Sequence, residues 1–599
     1  MELSSNNNVE PVNGEGLDAL EVVLVDIQTT GASPDKGHAL EMAWARFRAC
    51  DPGAPRVESS VIELPGGARI PKHISRMTGI RASDLKGARP VGQVWAGFEA
   101  ALVGLPQVSD QGQPLVVAHY AQFERRFLED LCGRAGGTQA PPLFCSHGLA
   151  RKLLPDLPRC GIKAVAGYFG HPVTRLKRAP HHVLATAAVW KGLVELLMVQ
   201  GVETHPALVQ WMAQTAGRKR VKGSKGTFAL PRERRLGLPD APGVYRMVGR
   251  TGQVLYVGKA MSLKRRVNSY FQKRRGHQER TLEMLTCVHD LKVTETGSAL
   301  EAAVLESDEI KRHSPPYNIA LQDEGRRVGF ATQPGLEPLV GCVPGRGPLL
   351  GPLRSVDTLE PLRLLVEVLK GGPLPKDEQR ALMLGAQPEK LPDDECLQAG
   401  LEELVKRHNL SPEDSLTQIW SVGEKLWEAR QEARQKARER KKARKEAADN
   451  TEEEPLTPEK AQDKPEWQWS PGLVSVVLGS VIMIGALRVR RGQWLSRLAH
   501  STLVWTPRHR PLLGRRVLNL RAGRVESAHW LPHDAPLPKL DTDMTLEERQ
   551  RVFDATVYDR MRVLLAELRR VIEENGEVWL ISTNTTLNTQ ELWAITRLI

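Results

Sequence analysis

Within residues 236–320 lies the stretch LPDAPGVYRMVGRTGQVLYVGKAMSLKRRVNSYF, whose residue types and spacing suit the hydrolysis of a phosphodiester. Two β-rich runs, GVYRMV and QVLYVG, flank the turn sequence GRTG and predict a hairpin that carries a tyrosine. The run from Ser262 to Phe271 predicts a helix capped by Ser262, which sets Arg266 and Tyr270 four residues apart on one face. Farther on, ALEAAVLESDEIKRHSPPYN predicts a second helix that holds Glu306 and ends at Ser314-Pro315-Pro316. Phosphodiester hydrolysis needs an activated water in line, a cation to neutralise the crowded phosphate, and a metal to polarise its oxygens. A carboxylate is a hard-oxygen ligand for Mg²⁺ or Mn²⁺, an arginine is a permanently charged fork for phosphate, and a tyrosine can orient or deprotonate water if its neighbours lower its pKa. Taken singly, each residue has a plain structural reading: cross-strand packing for the tyrosine, solvated surface for the arginine and the glutamate.

The elements that must position these groups sit in a long chain. Its 599 residues exceed what one core holds, and three or four domains are expected. Residues 1–18 read as a disordered tail. Residues 19–200 alternate strand-like runs (EVVLVDI, ALEMAWARF, PLVVAHY) with helical ones, the pattern of an α/β domain. A basic linker at 201–235 (GRKRVKGSKGTF, then PRERR) reads equally as a solvated connector or a phosphate-contacting strap. After the hairpin domain at 236–320 come a helical region at 321–430, a charged helix and linker at 431–470, and a mixed α/β unit at 471–599. The charged run lacks an apolar heptad and predicts a solvated single helix. The apolar run GLVSVVLGSVIMIGAL, residues 472–487, is rich in Val, Ile and Gly and short for a membrane span, and predicts buried strands. With 83 Lys and Arg against 71 Asp and Glu the formal charge is +12, which favours a polyanionic partner. The seven cysteines form no C-x-x-C pair, and the polar N-terminus lacks a secretion signal, so a reducing cytoplasm and no membrane are expected.

The joint pattern in residues 236–320 resembles the GIY-YIG nuclease domain of the UvrC family of bacterial DNA-repair excinucleases. The matching residues are Gly243-Val244-Tyr245, Tyr256-Val257-Gly258 followed by Lys259 and Ala260, then Arg266, Tyr270, Glu306 and Tyr317-Asn318. A weaker likeness continues into GPLLGPLRSVDTLEPLRLL. The resemblance implies that Glu306 holds one Mg²⁺ or Mn²⁺ and that Tyr256 is the general base or water-orienting group. It implies that Tyr245, Lys259 and Arg266 position and neutralise the phosphate, that Tyr270 belongs to the catalytic set, and that Asn318 supports the site.

The N-terminal domain resembles the DEDD 3′→5′ exonucleases, typified by the proofreading epsilon subunit of DNA polymerase III, through VLVDIQTTGASPDKGHALEMAWARF, VVAHYAQFERRFLEDL and HHVLATAAV. This implies an RNase H-like fold, a mixed sheet with helices. That family holds two metals with four carboxylates and activates water with a histidine. Here Asp26 and His181 are kept, whereas Gln28 and Thr186 replace carboxylates and Glu124 replaces an aspartate. Two metals need concentrated negative charge, so the site reads as vestigial, with His181 a cleft or core histidine.

Residues 471–599 show neither the second nuclease half nor the helix-hairpin-helix modules of UvrC-like enzymes, and Asp541, Asp543, Asp554 and Asp559 read as solvated surface. The expectation is an α/β multidomain, nucleoid-associated cytoplasmic endonuclease that makes a single-strand incision in DNA repair. Its partners would be DNA and repair loading proteins or polymerase components. The alternatives are an active 3′→5′ exonuclease with an accessory GIY-YIG domain, and a non-catalytic DNA-binding scaffold.

Overall fold

The computed structural model describes residues 16–108, 112–173, 176–214, 228–272, 277–319, 327–333, 335–343, 349–413, 416–448, 468–507, 511–540, 544–574, 577–583 and 585–598. Most of the expected disordered tail, residues 215–227 of the basic linker, and Asp541 and Asp543 lie outside the described residues. The chain divides into two compact units, Met1–Glu295 with His313–Ala320, and Thr296–Arg312 with Leu321–Ile599.

The first unit begins with a mixed sheet of β1 (Val22–Thr29), β2 (Ala39–Phe47), β3 (Glu58–Val61), β4 (Val116–Ala118) and β5 (Leu143–Cys145), in the order β3-β2-β1-β4-β5. β1 runs antiparallel to β2 and parallel to β4. The sequence of β1, VVLVDIQT, is apolar on both sides because both faces of the sheet are covered. Val22 and Leu24 point into one hydrophobic cluster, and Val23, Val25 and Ile27 into another.

Helices α1 (Lys72–Thr78), α2 (Val91–Ala100), α3 (Ala121–Arg134), α4 (Ser146–Leu153), α5 (Ile162–Tyr168), α6 (Ala179–Val199) and α7 (His205–Ala213) belong to this domain. Phe98 of α2 and Phe127 of α3 fill one cluster, and Trp190 and Leu193 of α6 the other. Each such fully buried large side chain contributes about 1.5–3 kcal/mol. Leu208 of α7 joins the same core, so the expected linker at 201–235 starts as folded domain.

The hairpin domain follows with α8 (Arg232–Leu236), β6 (Gly243–Val248), β7 (Val254–Ala260), α9 (Leu263–Gln272), α10 (Glu279–Cys287) and β8 (Asp290–Glu295). Its sheet is antiparallel in the order β7-β6-β8. It docks on the N-terminal domain through α10 and α5: the Cys287 thiol lies 3.5 Å from the Ala164 carbonyl, and Lys163 pairs with Glu283 at 3.2 Å. At the same interface the Gln253 amide accepts from the Val173 N–H and donates to its carbonyl.

The second unit opens with α11 (Ala299–His313), followed by β9 (Gly329–Ala331), β10 (Pro338–Val340) and β11 (Leu350–Leu353). Next come α12 (Glu360–Leu369), α13 (Asp377–Leu384), α14 (Asp394–His408), α15 (Leu416–Ala448) and α16 (Pro471–Leu498). An antiparallel sheet of β12 (Ser501–Trp505), β13 (Arg515–Arg521), β14 (Arg524–Leu531), β15 (Val578–Ser582) and β16 (Thr585–Leu587) has the order β14-β13-β12-β15-β16. It is accompanied by α17 (Leu546–Arg551), α18 (Ala555–Glu574) and α19 (Thr589–Leu598).

One expectation is overturned: residues 472–487 are helical, within α16. The Ser470 side chain caps that helix by accepting from Leu473 N–H, with Pro471 in its first turn. Gly485 and Gly492 allow Leu362 and the Pro352 carbonyl to approach where a Cβ would lie 2.5 and 2.7 Å away. Tertiary packing against α14 and α15 thus overrides the β preference of Val and Ile. By length and composition α6 and α16 could each cross a membrane, and about half of the apolar window of each is buried in protein (56% and 50%). α15 runs through the expected boundary at residue 430, and its charged residues from 432 to 443 are exposed, as the missing heptad predicts.

Candidate active site

Pairing of β6 with β7 sets Tyr245 opposite Gly258 and Met247 opposite Tyr256. A Cβ at Gly258 would come within 2.5 Å of the Tyr245 hydroxyl and 2.8 Å of the Tyr256 ring, and one at Gly243 within 2.3 Å of the Thr294 carbonyl. Both glycines therefore serve close approach: one admits the tyrosines, the other the neighbouring strand. Ser262 caps α9 by accepting from Arg265 N–H, as the sequence predicts.

Three tyrosines converge, with ring centroids 6.1 Å apart for Tyr245 and Tyr256, 6.2 Å for Tyr245 and Tyr270, and 6.5 Å for Tyr256 and Tyr270. The Tyr245 and Tyr270 hydroxyls are 2.9 Å apart. Arg266 donates to the Tyr270 hydroxyl at 3.3 Å across one turn of α9. Burial, then the Tyr270 and Tyr256 phenols, pushes the Tyr245 pKa well above its usual value, so Tyr245 is a neutral phenol at ordinary pH. Burial opposes the Arg266 charge, but the tyrosine oxygens outweigh it and raise its pKa. Lys259 is half-buried on β7, opposite Val244.

Asn318 is buried, and both ends of its amide are committed to one residue: its oxygen accepts from Val257 N–H at 3.0 Å and its nitrogen donates to the Val257 carbonyl at 2.9 Å. It splints the segment after α11 to β7 and is thereby a positioning residue. Tyr317 donates to Glu283 at 2.9 Å.

Glu306 is half-buried on α11, which packs within the second unit. Leu300 and Val304 of α11 join the core of Leu503, Leu518 and Met561. Three ion pairs fix the helix there: Glu301 with Arg516 at 2.8 Å, Asp308 with Arg560 at 2.7 Å, and Lys311 with Asp559 at 3.1 Å. Asp559 is therefore buried and paired, and its reading as solvated surface is corrected. Asp554 accepts from Val557 N–H at the start of α18.

The N-terminal cleft is built differently. Gln28 donates to one Asp26 oxygen at 2.8 Å, and the other Asp26 oxygen lies 3.2 Å from Nδ1 of His182. His181 is exposed, so His182 rather than the expected His181 faces the carboxylate. Glu124 accepts from Ile27 N–H at 2.9 Å, and burial followed by the Asp26 charge raises its pKa well above the usual 4.5. Thr186 is buried on α6 one turn beyond His182. With neutral Gln28 and Thr186 where two carboxylates would stand, and Asp26 engaged by an amide and an imidazole, this donor set does not fit two metal ions. Among the described residues no group of three or more His, Cys, Asp or Glu is gathered as a metal would require.

Residues 241–319 match the model of the UvrC-like GIY-YIG domain. The chain carries a UvrC-like GIY-YIG domain. The chain is 51% identical over 87 residues to UvrABC system protein C of a Psychrobacter species, a match covering 14% of each chain. A longer match, 29% identical over 360 residues, joins 55% of this chain to 51% of a Mycobacterium tuberculosis protein named as a candidate bifunctional exonuclease/endonuclease. The chain thus spans about half the length of that relative and a small part of the UvrC protein. A solved structure of the GIY-YIG endonuclease domain of UvrC from Thermotoga maritima, bound to magnesium, is 31% identical over 15% of this chain and 94% of its own, with a TM-score of 0.14.

Beyond the GIY-YIG domain, two features escape sequence reasoning. Glu41 is buried in β2 opposite Gln28, and its carboxylate accepts from the Arg178 guanidinium and from Ala179 N–H. A lone acid inside the apolar run ALEMAWARF was the available signal, since a buried charge needs a partner. The other is His182, whose neighbour His181 matched the motif spacing while the helix face selected His182.

Proposed function

We propose that this protein is a divalent-metal-dependent DNA endonuclease that makes a single-strand incision in DNA repair, with the GIY-YIG domain as its only working centre. The observation that carries the reading is the Tyr245–Tyr270–Arg266 cluster, hydrogen-bonded and seated where Gly258 leaves room for it. In this reading Tyr256 orients the attacking water. Arg266 and Lys259 neutralise the phosphate, and Tyr245, kept neutral, hydrogen-bonds to Tyr270 and holds it in place. A half-buried carboxylate such as Glu306 fits one Mg²⁺ or Mn²⁺, because such ions keep several waters and need few protein ligands. When bound, the cation would supply charge stabilisation at the phosphate oxygens. The exonuclease-like domain binds DNA or a partner without cutting.

Glu306→Ala in the full chain should lower Mg²⁺-dependent nicking of duplex DNA by about 10³-fold, a loss of the size expected for removing a principal electrostatic group. DNA affinity measured in EDTA should stay within about threefold, below 1 kcal/mol. Undiminished nicking would remove Glu306 from the assignment.

A further inference from the structure

Where α3, α4 and α5 meet α10, the first unit encloses a cavity of about 790 Å³, within the range of roughly 300–1,000 Å³ typical of ligand sites. Neither nuclease site uses it: Asp26, Glu124, Tyr245, Tyr256 and Arg266 are all absent from its lining. Its most unusual wall is Tyr120, a bulky residue in the left-handed region with φ of 68°. The Tyr120 ring stacks on His147 at 4.0 Å with an interplanar angle of 22°, yet the residue is 49% exposed. One face of the ring is thus covered and the other remains open.

The platform is held rigidly. His119 packs edge-on against both rings, at 5.4 Å from Tyr120 and 5.5 Å from His147. His119 is itself clamped, its Nδ1 3.0 Å from the Ser146 hydroxyl and its Nε2 3.1 Å from the Cys160 carbonyl. Burial lowers its pKa to about 3, and burial with the Arg151 charge lowers that of His147, so both imidazoles are neutral at ordinary pH.

Around the platform the lining carries Arg151, Arg159, Lys163 and Arg280 against Glu279 and Glu283. The two carboxylates pair with Arg159 and Lys163. The charges of Arg151 and Arg280 exceed what the lining carboxylates offset.

We infer that this cavity seats an unpaired nucleotide of a single DNA strand, its base on the open face of Tyr120 and its flanking phosphates against Arg151 and Arg280. A stacking ring with neighbouring cations is the arrangement that binds single strands without reading sequence, and a paired base offers no free face. Arg151 belongs to the exonuclease-like domain and Arg280 to the GIY-YIG domain, so the two domains grip one strand together. The inference rests on the reading of DNA as the substrate.

The test is fluorescence anisotropy of the full chain with a labelled dT15 oligonucleotide in EDTA. Tyr120→Asn should weaken binding roughly 5- to 150-fold, the effect of losing one stacked base. Tyr120→Phe should stay within about twofold. Asparagine accepts the left-handed backbone, so an unchanged melting temperature separates lost stacking from unfolding. With 5-iododeoxyuridine in the strand, ultraviolet crosslinks should map to Tyr120 or His147. Wild-type affinity in Tyr120→Asn, or crosslinks confined to other segments, would overturn the assignment. Competition by free dTMP as effective as that of the oligonucleotide would overturn its strand part. Because binding is read without metal, a failure here leaves Glu306-dependent nicking standing. If the wild type binds neither dT15 nor duplex DNA, the DNA reading fails with it.

Discussion

The N-terminal cleft and the GIY-YIG site set two answers to one electrostatic problem side by side. Around Asp26 the protein supplies its own partners: an amide from Gln28, an imidazole from His182, and a Glu124 whose pKa is raised by burial and then by the Asp26 charge. Around Arg266 the balance runs the other way, with a cation whose pKa is raised beside a Tyr245 phenol kept neutral by burial, an arrangement suited to an incoming anion. A carboxylate already engaged by an amide and an imidazole leaves a metal few open donors, whereas a site that gathers donors and positive charge favours an anion. The contrast also extends to what holds each site. The cleft is assembled from β1, α3 and α6 of one domain, while the helix bearing Glu306 is fixed by three ion pairs to residues more than 200 positions away in sequence.

The comparison can be broken at either end. After Glu306→Ala, the largest effect belongs to Arg266→Ala, expected to lower kcat for nicking by about 10²–10³-fold, the usual cost of losing a transition-state donor. A fall of less than threefold would return Arg266 to the solvated surface. Gly258→Ala pushes a methyl group into Tyr245 and should destabilise the fold by about 1–3 kcal/mol in urea titration. Nicking should also fall tenfold or more, because misplacement of about 1 Å is costly; an unperturbed enzyme would mean that the tyrosine cluster tolerates displacement.

At the other site, Gln28→Glu with Thr186→Asp would crowd carboxylates around Asp26 and should lower stability by about 1–3 kcal/mol without metal. Mn²⁺ should recover part of that loss in a melting experiment. Metal-dependent digestion of DNA 3′ ends by the wild-type protein would erase the distinction between the two sites.

The smallest effect concerns Glu124. Its folded pKa is raised, so its contribution to stability is complete below about 4.5 and declines as pH rises through the folded value. Glu124→Gln keeps an acceptor for Ile27 N–H without the charge. Its melting temperature should match the wild type at about pH 4, below the unfolded pKa, and exceed it by a few degrees at about pH 9; a constant difference across that range would rule out a titrating Glu124.

Legibility followed sequence distance. The hairpin, the Ser262 cap and the Arg266–Tyr270 pair were readable because turn residues, caps and i, i+4 spacing act within one helical turn or one hairpin. The stretch 472–487 was misread because Val and Ile favour strands in isolation, and only the surrounding helices make a buried helix the better packing. One residue of offset, His181 against His182, turns a side chain by about 100° around a helix, and motif spacing alone carries no record of which face meets the cleft.

The sequence by itself determined the chemistry on offer: a tyrosine-rich hairpin, an arginine helix and a glutamate in one segment, and an exonuclease-like pattern short of its carboxylates. Those features are local or compositional, and each residue type brings its charge and donors wherever it lands. Only the tertiary structure decided that Asp559 is a buried partner of Lys311, that Glu41 holds Arg178, and that Tyr120 stands open beside cations from two domains. Charges separated by more than a hundred residues become neighbours only when burial of the apolar elements between them fixes the geometry, and that burial is a property of the whole chain.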